Sequence, residues 1–198
     1  MEIGIGLDNS LGLSLHEEAL AAEEATKLGY TSIWTPDSTG YDPFIRCQFR
    51  WNASRKAKSS GITTGISVSP IALRTPLSLA MSAGTMSVLT HNRFILGIGS
   101  GNTHLKSGRK AYGLPNVSSL ELARDYLIVI QGLLGGKTVN YKSPSVTLVE
   151  ASLDLGSPLD TPVFLGALGP KMLRLAGEHA DGAALNWCSV DQVAWSRG

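Results

Sequence analysis

Short apolar runs alternate with stretches whose apolar residues recur at helical spacing, and the alternation continues along the whole chain. Ile3 to Leu7 reads as a first strand. Ser14 and Glu17 then stand in the S-x-x-E relation of a capping box, which opens a helix to about Leu28 that Gly29 ends. Thr31 to Thr35 reads as the second strand, followed by a polar, partly helical stretch from about Tyr41 to Lys58. Ile62 to Ser69 is the third, and Thr75 with Pro76 supplies the cap and first-turn pair of a helix to about Leu89. Phe94 to Ile98 is the fourth, with a long loop after it. Ser118 and Glu121 cap a helix carrying Leu122, Leu127, Ile130, Leu133 and Leu134, which Gly135 and Gly136 stop. Val139 to Tyr141 and Val146 to Val149 flank Lys142-Ser-Pro-Ser145 as a small hairpin, and Ser152 to Pro162 reads as a loop. Val163 to Leu165 is the fifth main strand, Pro170 to His179 a helix, and Ala183 to Trp187 the sixth strand.

Strands alternating with helices imply parallel pairing through right-handed crossovers, in either an open doubly wound sheet or a (β/α)8 barrel. A dinucleotide-binding sheet would carry Gly-x-Gly-x-x-Gly after its first strand, leading straight into a helix. Here Gly97-x-Gly99-x-Gly101 has other spacing and follows the fourth strand. Polar residues and glycines gather instead at the carboxyl ends of strands two to six, where barrel enzymes place their sites, so the α/β architecture of the (β/α)8 TIM-barrel type fits better. A complete barrel takes about 250 residues, whereas this chain has 198. The expectation is therefore one incomplete barrel domain over residues 1–198, about six βα units long, with a hairpin and loop inserted at about 135–162. Such a barrel exposes two strand edges and an apolar interior, as in a fragment, a truncated reading frame, or a short barrel sealed by a partner subunit in a homo-oligomer.

Composition narrows the function classes. Seventeen basic and sixteen acidic residues leave a formal charge of +1, which gives no footprint for nucleic acid or an anionic membrane. No apolar run reaches the roughly 18 residues of a membrane span. Cys47 and Cys188 are too few for a disulfide framework, and no Cys/His cluster has metal-ligand spacing, so no metal site is expected. A cytoplasmic, reduced, soluble protein is the reading that remains.

The candidate chemistry begins at Phe94-Ile-Leu-Gly-Ile-Gly-Ser-Gly-Asn102, where a buried strand empties into a glycine loop bearing Ser100 and Asn102. Glycines at 97, 99 and 101 remove side chains from the strand's exit, which lets backbone amides meet a ligand, or else form a tight barrel corner. Gly166-Ala167-Leu168-Gly169 precedes Pro170, which pre-sets a helix. The amides there and the positive helix end suit an anion such as phosphate.

Trp34-Thr-Pro-Asp37, Arg74-Thr-Pro76, Asn92-Arg93-Phe-Ile-Leu-Gly-Ile-Gly-Ser-Gly101 and Leu165-Gly-Ala-Leu-Gly-Pro170, followed by Leu173 to Gly182, resemble the bacterial luciferase-like monooxygenases, in that family's order and from end to end. The resemblance implies a TIM-barrel oxidoreductase using reduced FMN or the deazaflavin coenzyme F420. It also implies a cofactor set: Asp37 against the ring system, a non-prolyl cis bond between Ile66 and Ser67 behind it, and Gly99, Ser100, Gly101 and Asn102 along the ribityl chain or phosphate. Gly166, Ala167, Leu168 and Gly169 would hold the phosphate. F420-using relatives pair the aspartate with a histidine. This chain has Ser38 in that place, which cannot become a cation near neutral pH, so no catalytic residue is assigned. A non-catalytic flavin-binding protein, or an inactive fragment of such an enzyme, is the alternative reading.

Other residues read as structural. Arg93 and Asp181 precede strands four and six, on the face opposite the site, and His16 and His179 sit at helix ends as surface residues. His104 alone lies in a loop on the site face. Arg50, Arg55, Lys56 and Lys58 read as one solvated helix face, and Trp34 and Trp187 as core or pocket lining.

Overall fold

The computed structural model of the protein describes residues 2–114 and 118–197. Six parallel strands form one sheet in chain order: β1 (Gly4–Gly6), β2 (Ser32–Thr35), β3 (Thr63–Pro70), β4 (Phe94–Gly99), then β7 (Val163–Gly166) and β8 (Gly182–Ala184). Between β4 and β7 the antiparallel pair β5 (Val139–Lys142) and β6 (Thr147–Ala151) forms a separate hairpin. Helices α1 (Leu15–Lys27), α2 (Pro43–Ser54), α3 (Pro76–Leu89), α5 (Ser119–Leu134) and α6 (Pro170–His179) make the crossovers. The short α4 (Lys106–Ala111) and α7 (Val190–Ser196) lie where the sequence reading had only a loop and a tail.

Local chemistry explains most helix starts. The Ser14 hydroxyl accepts from the Glu17 amide while the Glu17 carboxylate accepts from the Ser14 amide, completing the predicted capping box. Thr75 and Ser118 cap α3 and α5 by the same kind of bond, each ahead of the helix the sequence implied.

The core lies between the sheet and its helices. Ile33, Ile66, Leu96, Ile98, Val163 and Leu165 are fully buried on the helix side of the strands. Strand alternation then turns Trp34, Gly65, Gly97, Gly99, Phe164 and Gly166 to the opposite side. Three strand spacings separate β2 from β7, so rings standing on a flat sheet would lie about 14 Å apart. The Trp34 and Phe164 ring centroids are 6.2 Å apart. The sheet therefore curls around this face, as an incomplete barrel must. A side chain at Gly65 would sit 2.6 Å from the Trp34 ring, which crosses the strand at that point.

Two expectations are corrected here. Arg50 is fully buried, not part of a solvated face. With Arg46, one helical turn earlier, it points at α1, where both guanidiniums hold the Glu18 carboxylate, whereas Arg55, Lys56 and Lys58 remain exposed. The sixth strand stops at Ala184, and Trp187 is 97% exposed with a left-handed φ of 50°, so it is neither core nor pocket wall. Arg93 and Asp181 do fall at the amino ends of β4 and β8, and the Asp181 carboxylate accepts from the Val163 amide at 2.8 Å. Among the described residues no helix is long and apolar enough to cross a membrane.

Candidate functional site at the carboxyl rim of the sheet

Parallel pairing brings all the strand exits to one rim. Asp37 follows β2, Ser69 and Pro70 end β3, Gly99 to Asn102 leave β4, and Gly166 to Gly169 leave β7. The predicted site segments therefore do converge, from positions as far apart in sequence as 37 and 169.

Asp37 is neither solvated nor a loop cap. Its side chain is 8% exposed; the Ser69 hydroxyl donates to Oδ2 at 2.6 Å and the Arg74 guanidinium approaches at 3.5 Å. Arg74 also donates to Asp42 at 2.7 Å, stacks over the Phe44 ring, and has its carbonyl oxygen bound by the Tyr126 hydroxyl. Burial pushes the Asp42 carboxyl up, but the Arg74 bond and charge together with the Ile45 and Phe44 amides outweigh this and leave it below the usual carboxylate range. Ser69 and Arg74 thus fix Asp37 at the rim. The sequence reading had Arg74 only as part of a motif and did not single out Ser69.

The cis bond joins Ser67 and Val68, one residue later than expected. Ile66 is fully buried on the helix side and cannot face a ligand on the rim, whereas Ser67 is exposed. Val68 explains the neighbouring glycines. A Cβ on Gly99 would lie 2.8 Å from its side chain and one on Gly166 3.2 Å, while one on Gly97 would meet the Ile66 carbonyl oxygen at 2.1 Å. Room for β3 itself is thus a packing reason for glycine at each of these positions. Gly101 turns the chain with φ of 50° against Pro70, Ser100 is half-buried and Asn102 is exposed. His104 lies in the same turn, but its side chain is outside the described ones.

The exit from β7 is open. The Ala167 amide is taken by the Ala184 carbonyl, Leu168 is half exposed, and a Cβ on Gly169 would meet nothing within 4 Å. Gly169 is the N-cap of α6 and offers no side chain to its first-turn amides, whereas Ser14, Asp42, Thr75, Ser118 and Ser189 cap α1, α2, α3, α5 and α7. Uncapped amides at a helix start suit an anion, so a cofactor phosphate fits the residues here. Among the described residues no group of three or more His, Cys, Asp or Glu side chains could hold a metal.

Residues 2–197 match the luciferase-like monooxygenase family. The chain belongs to that family. Among luciferase-like relatives, it is 27% identical over 165 residues to the 5,10-methylenetetrahydromethanopterin reductase of Methanolobus tindarius, covering 83% of this chain and 48% of that protein. It is 29% identical over 180 residues to the F420-dependent glucose-6-phosphate dehydrogenase of Amycolatopsis mediterranei, covering 85% and 51%. The solved coenzyme F420-dependent tetrahydromethanopterin reductase of Methanopyrus kandleri superposes with a TM-score of 0.77 at 25% identity, over 93% of this chain and 55% of that one. The chain spans about half the length of the luciferase-like proteins it matches.

Proposed function

We propose that this chain binds F420 or reduced FMN along the carboxyl rim of its sheet and serves a luciferase-like oxidoreductase acting on a small-molecule substrate. The observation that carries the reading is the convergence on one rim of Asp37, Ser67, the Gly99 to Asn102 turn and the uncapped α6 start at Gly166 to Gly169. The first-turn amides of α6 would take the phosphate, Ser100 and Asn102 would hydrogen-bond the chain leading from it, and Asp37, fixed by Ser69 and Arg74, would orient the ring. Val68 would support the ring from within the sheet. The bound cofactor supplies hydride or, as flavin, activates oxygen; the protein's part is to orient it and exclude water.

The same reading places the protein in the cytoplasm, where Cys47 and Cys188, both unpaired, remain thiols. It also makes the chain self-associating, because the outward faces of α2 and α3 expose Ile45, Phe49, Met81 and Val88 without a charged residue among them. Titration of the purified chain with FMN and with F420, followed by fluorescence, tests the proposal, with sedimentation velocity on the same sample for the assembly. Saturable uptake of one cofactor is expected; a folded sample that takes up neither refutes it.

A further inference from the structure

Resting on that reading of the rim, we propose that Ser38 is a hydrogen-bond donor to the small molecule bound there, its proton kept off Asn9 by a buried cation acting through the Asn9 carboxamide. A guanidinium has five N–H donors and no acceptor. Arg46 is 4% exposed; its Nε and Nη2 are engaged by the two oxygens of Glu18, and Nη1 donates to Asn9 Oδ1 at 2.6 Å. A donor-only partner selects the oxygen end of the Asn9 carboxamide, because the opposite orientation would set an NH2 group against the guanidinium. The other end, Nδ2, then faces Ser38 Oγ at 2.6 Å. Since the amide nitrogen only donates, Ser38 Oγ must accept, which leaves its own O–H to point elsewhere.

The turn that carries Asn9 and the Arg46 side chain are each held by several bonds. Asn9 opens a short turn in which the Asp8 carboxylate accepts from the Ser10 amide at 2.7 Å, and Gly12, with φ of 63°, donates back to the Asn9 carbonyl at 3.1 Å. Arg46 is locked against Glu18, which Arg50 holds from a second side. Ser38 itself is exposed beside Asp37, and among the described residues no acceptor takes its proton. A carbonyl oxygen, alkoxide or ring nitrogen arriving at the rim therefore meets a hydroxyl whose proton is not committed to Asn9. Ser38 is the binding residue; Asn9 and Arg46 position it.

The test compares the chain with Ser38→Ala, Asn9→Asp and the double variant, titrated with FMN and F420 and then, in the cofactor-loaded form, with acetone as the simplest carbonyl probe. Asn9→Asp keeps size and keeps an acceptor for Arg46, but its carboxylate captures the Ser38 proton. It should weaken binding as much as Ser38→Ala, about three- to tenfold for one lost hydrogen bond, with the double variant no worse than either and thermal midpoints no lower than the parent's. A loss on cofactor titration puts the acceptor on the cofactor. A loss confined to the acetone response puts it on the substrate. Unchanged titrations in both arms, or additive losses, overturn the proposal. The Asn9 carboxamide 1H–15N signals give a readout free of ligand: Ser38→Ala should move one of the two protons, and no movement refutes the hydroxyl's direction. A parent chain that takes up neither cofactor overturns the functional reading and the ligand half of this one together. A shifted Asn9 signal in that case shows that the hydrogen-bond direction was right and the ligand wrong.

Discussion

Replacing Glu18 by glutamine removes the single carboxylate that two buried guanidiniums share. The side chains of Glu18, Arg46 and Arg50 are 3%, 5% and 0% exposed, so neither arginine can move its charge into water without opening the α1–α2 contact. Glu18 accepts from Arg50 Nε at 2.9 Å and Nη2 at 2.8 Å, and from Arg46 Nε at 3.2 Å and Nη2. Arg50 is further held by Thr35 Oγ1 at 2.7 Å and by the Leu7 carbonyl at 3.3 Å, which keeps it in place after the substitution. Burial pushes the Arg50 guanidinium below its ordinary value, and the Glu18 charge and hydrogen bond work against that shift. Glu18 Oε2 takes three of the four bonds and Oε1 only that from Arg46 Nη2, so a glutamine oxygen at the Oε2 position keeps three bonds without their charge, while its NH2 faces Arg46 Nη2; one charge-assisted bond, about 1.5–3 kcal/mol, is lost outright and both guanidiniums lose their counter-charge. Removing one partner of a buried ion pair costs about 3–5 kcal/mol in general, which covers both losses. Glu18→Gln should therefore lower unfolding free energy by about 3–5 kcal/mol, a large part of the roughly 5–15 kcal/mol of an ordinary domain. Urea denaturation followed by circular dichroism reads this as a lower midpoint at unchanged slope. A loss below about 1 kcal/mol would show that the guanidiniums are solvated in solution, and would refute both this reasoning and the anchoring of Asn9 that depends on Arg46.

Gly97→Ala would place a Cβ 2.1 Å from the Ile66 carbonyl oxygen; because backbone must move, a loss of about 3 kcal/mol or more is expected in thermal melts. Gly6→Ala, with nothing within 4 Å, is the control and should stay within about 1 kcal/mol of the parent, so equal effects would contradict the packing described. Burial pushes the Tyr126 hydroxyl up from 10.0 to about 12. The folded state then holds that proton more tightly than the unfolded one, so its contribution is full below about pH 10 and is lost as pH rises toward 12. The gap in urea midpoint between the parent and Tyr126→Phe should accordingly stay constant up to about pH 10 and narrow from there toward pH 12, and a gap independent of pH would refute it.

Much of this molecule was legible in its sequence, where short-range chemistry decides. The Ser14–Glu17 box, the Thr75–Pro76 start, the Ser118 cap and the Pro170 start each involve residues within one helical turn, so the helices α1, α3, α5 and α6 follow from local pattern alone. Ser189, bonded by the Gln192 amide, carries the same kind of signal for α7. The succession of strands and helices also fixed the parallel sheet, and with it the single rim.

What the tertiary structure alone decided concerns contacts between residues far apart in the chain. Whether Arg50 faces water or Glu18, 32 positions away, depends on how α1 and α2 pack. The glycines of β4 read from the sequence as a ligand floor, and only the fold adds that Val68 of the neighbouring strand fills the space beside Gly99. Asp37 gains Ser69 and Arg74, and Ser38 gains Asn9, because β1, β2 and β3 end side by side. Periodicity encodes which side of an element is apolar. Which partner a polar side chain meets there is set only when the elements close on one another, and for the rim residues that meeting determines what each can donate or accept.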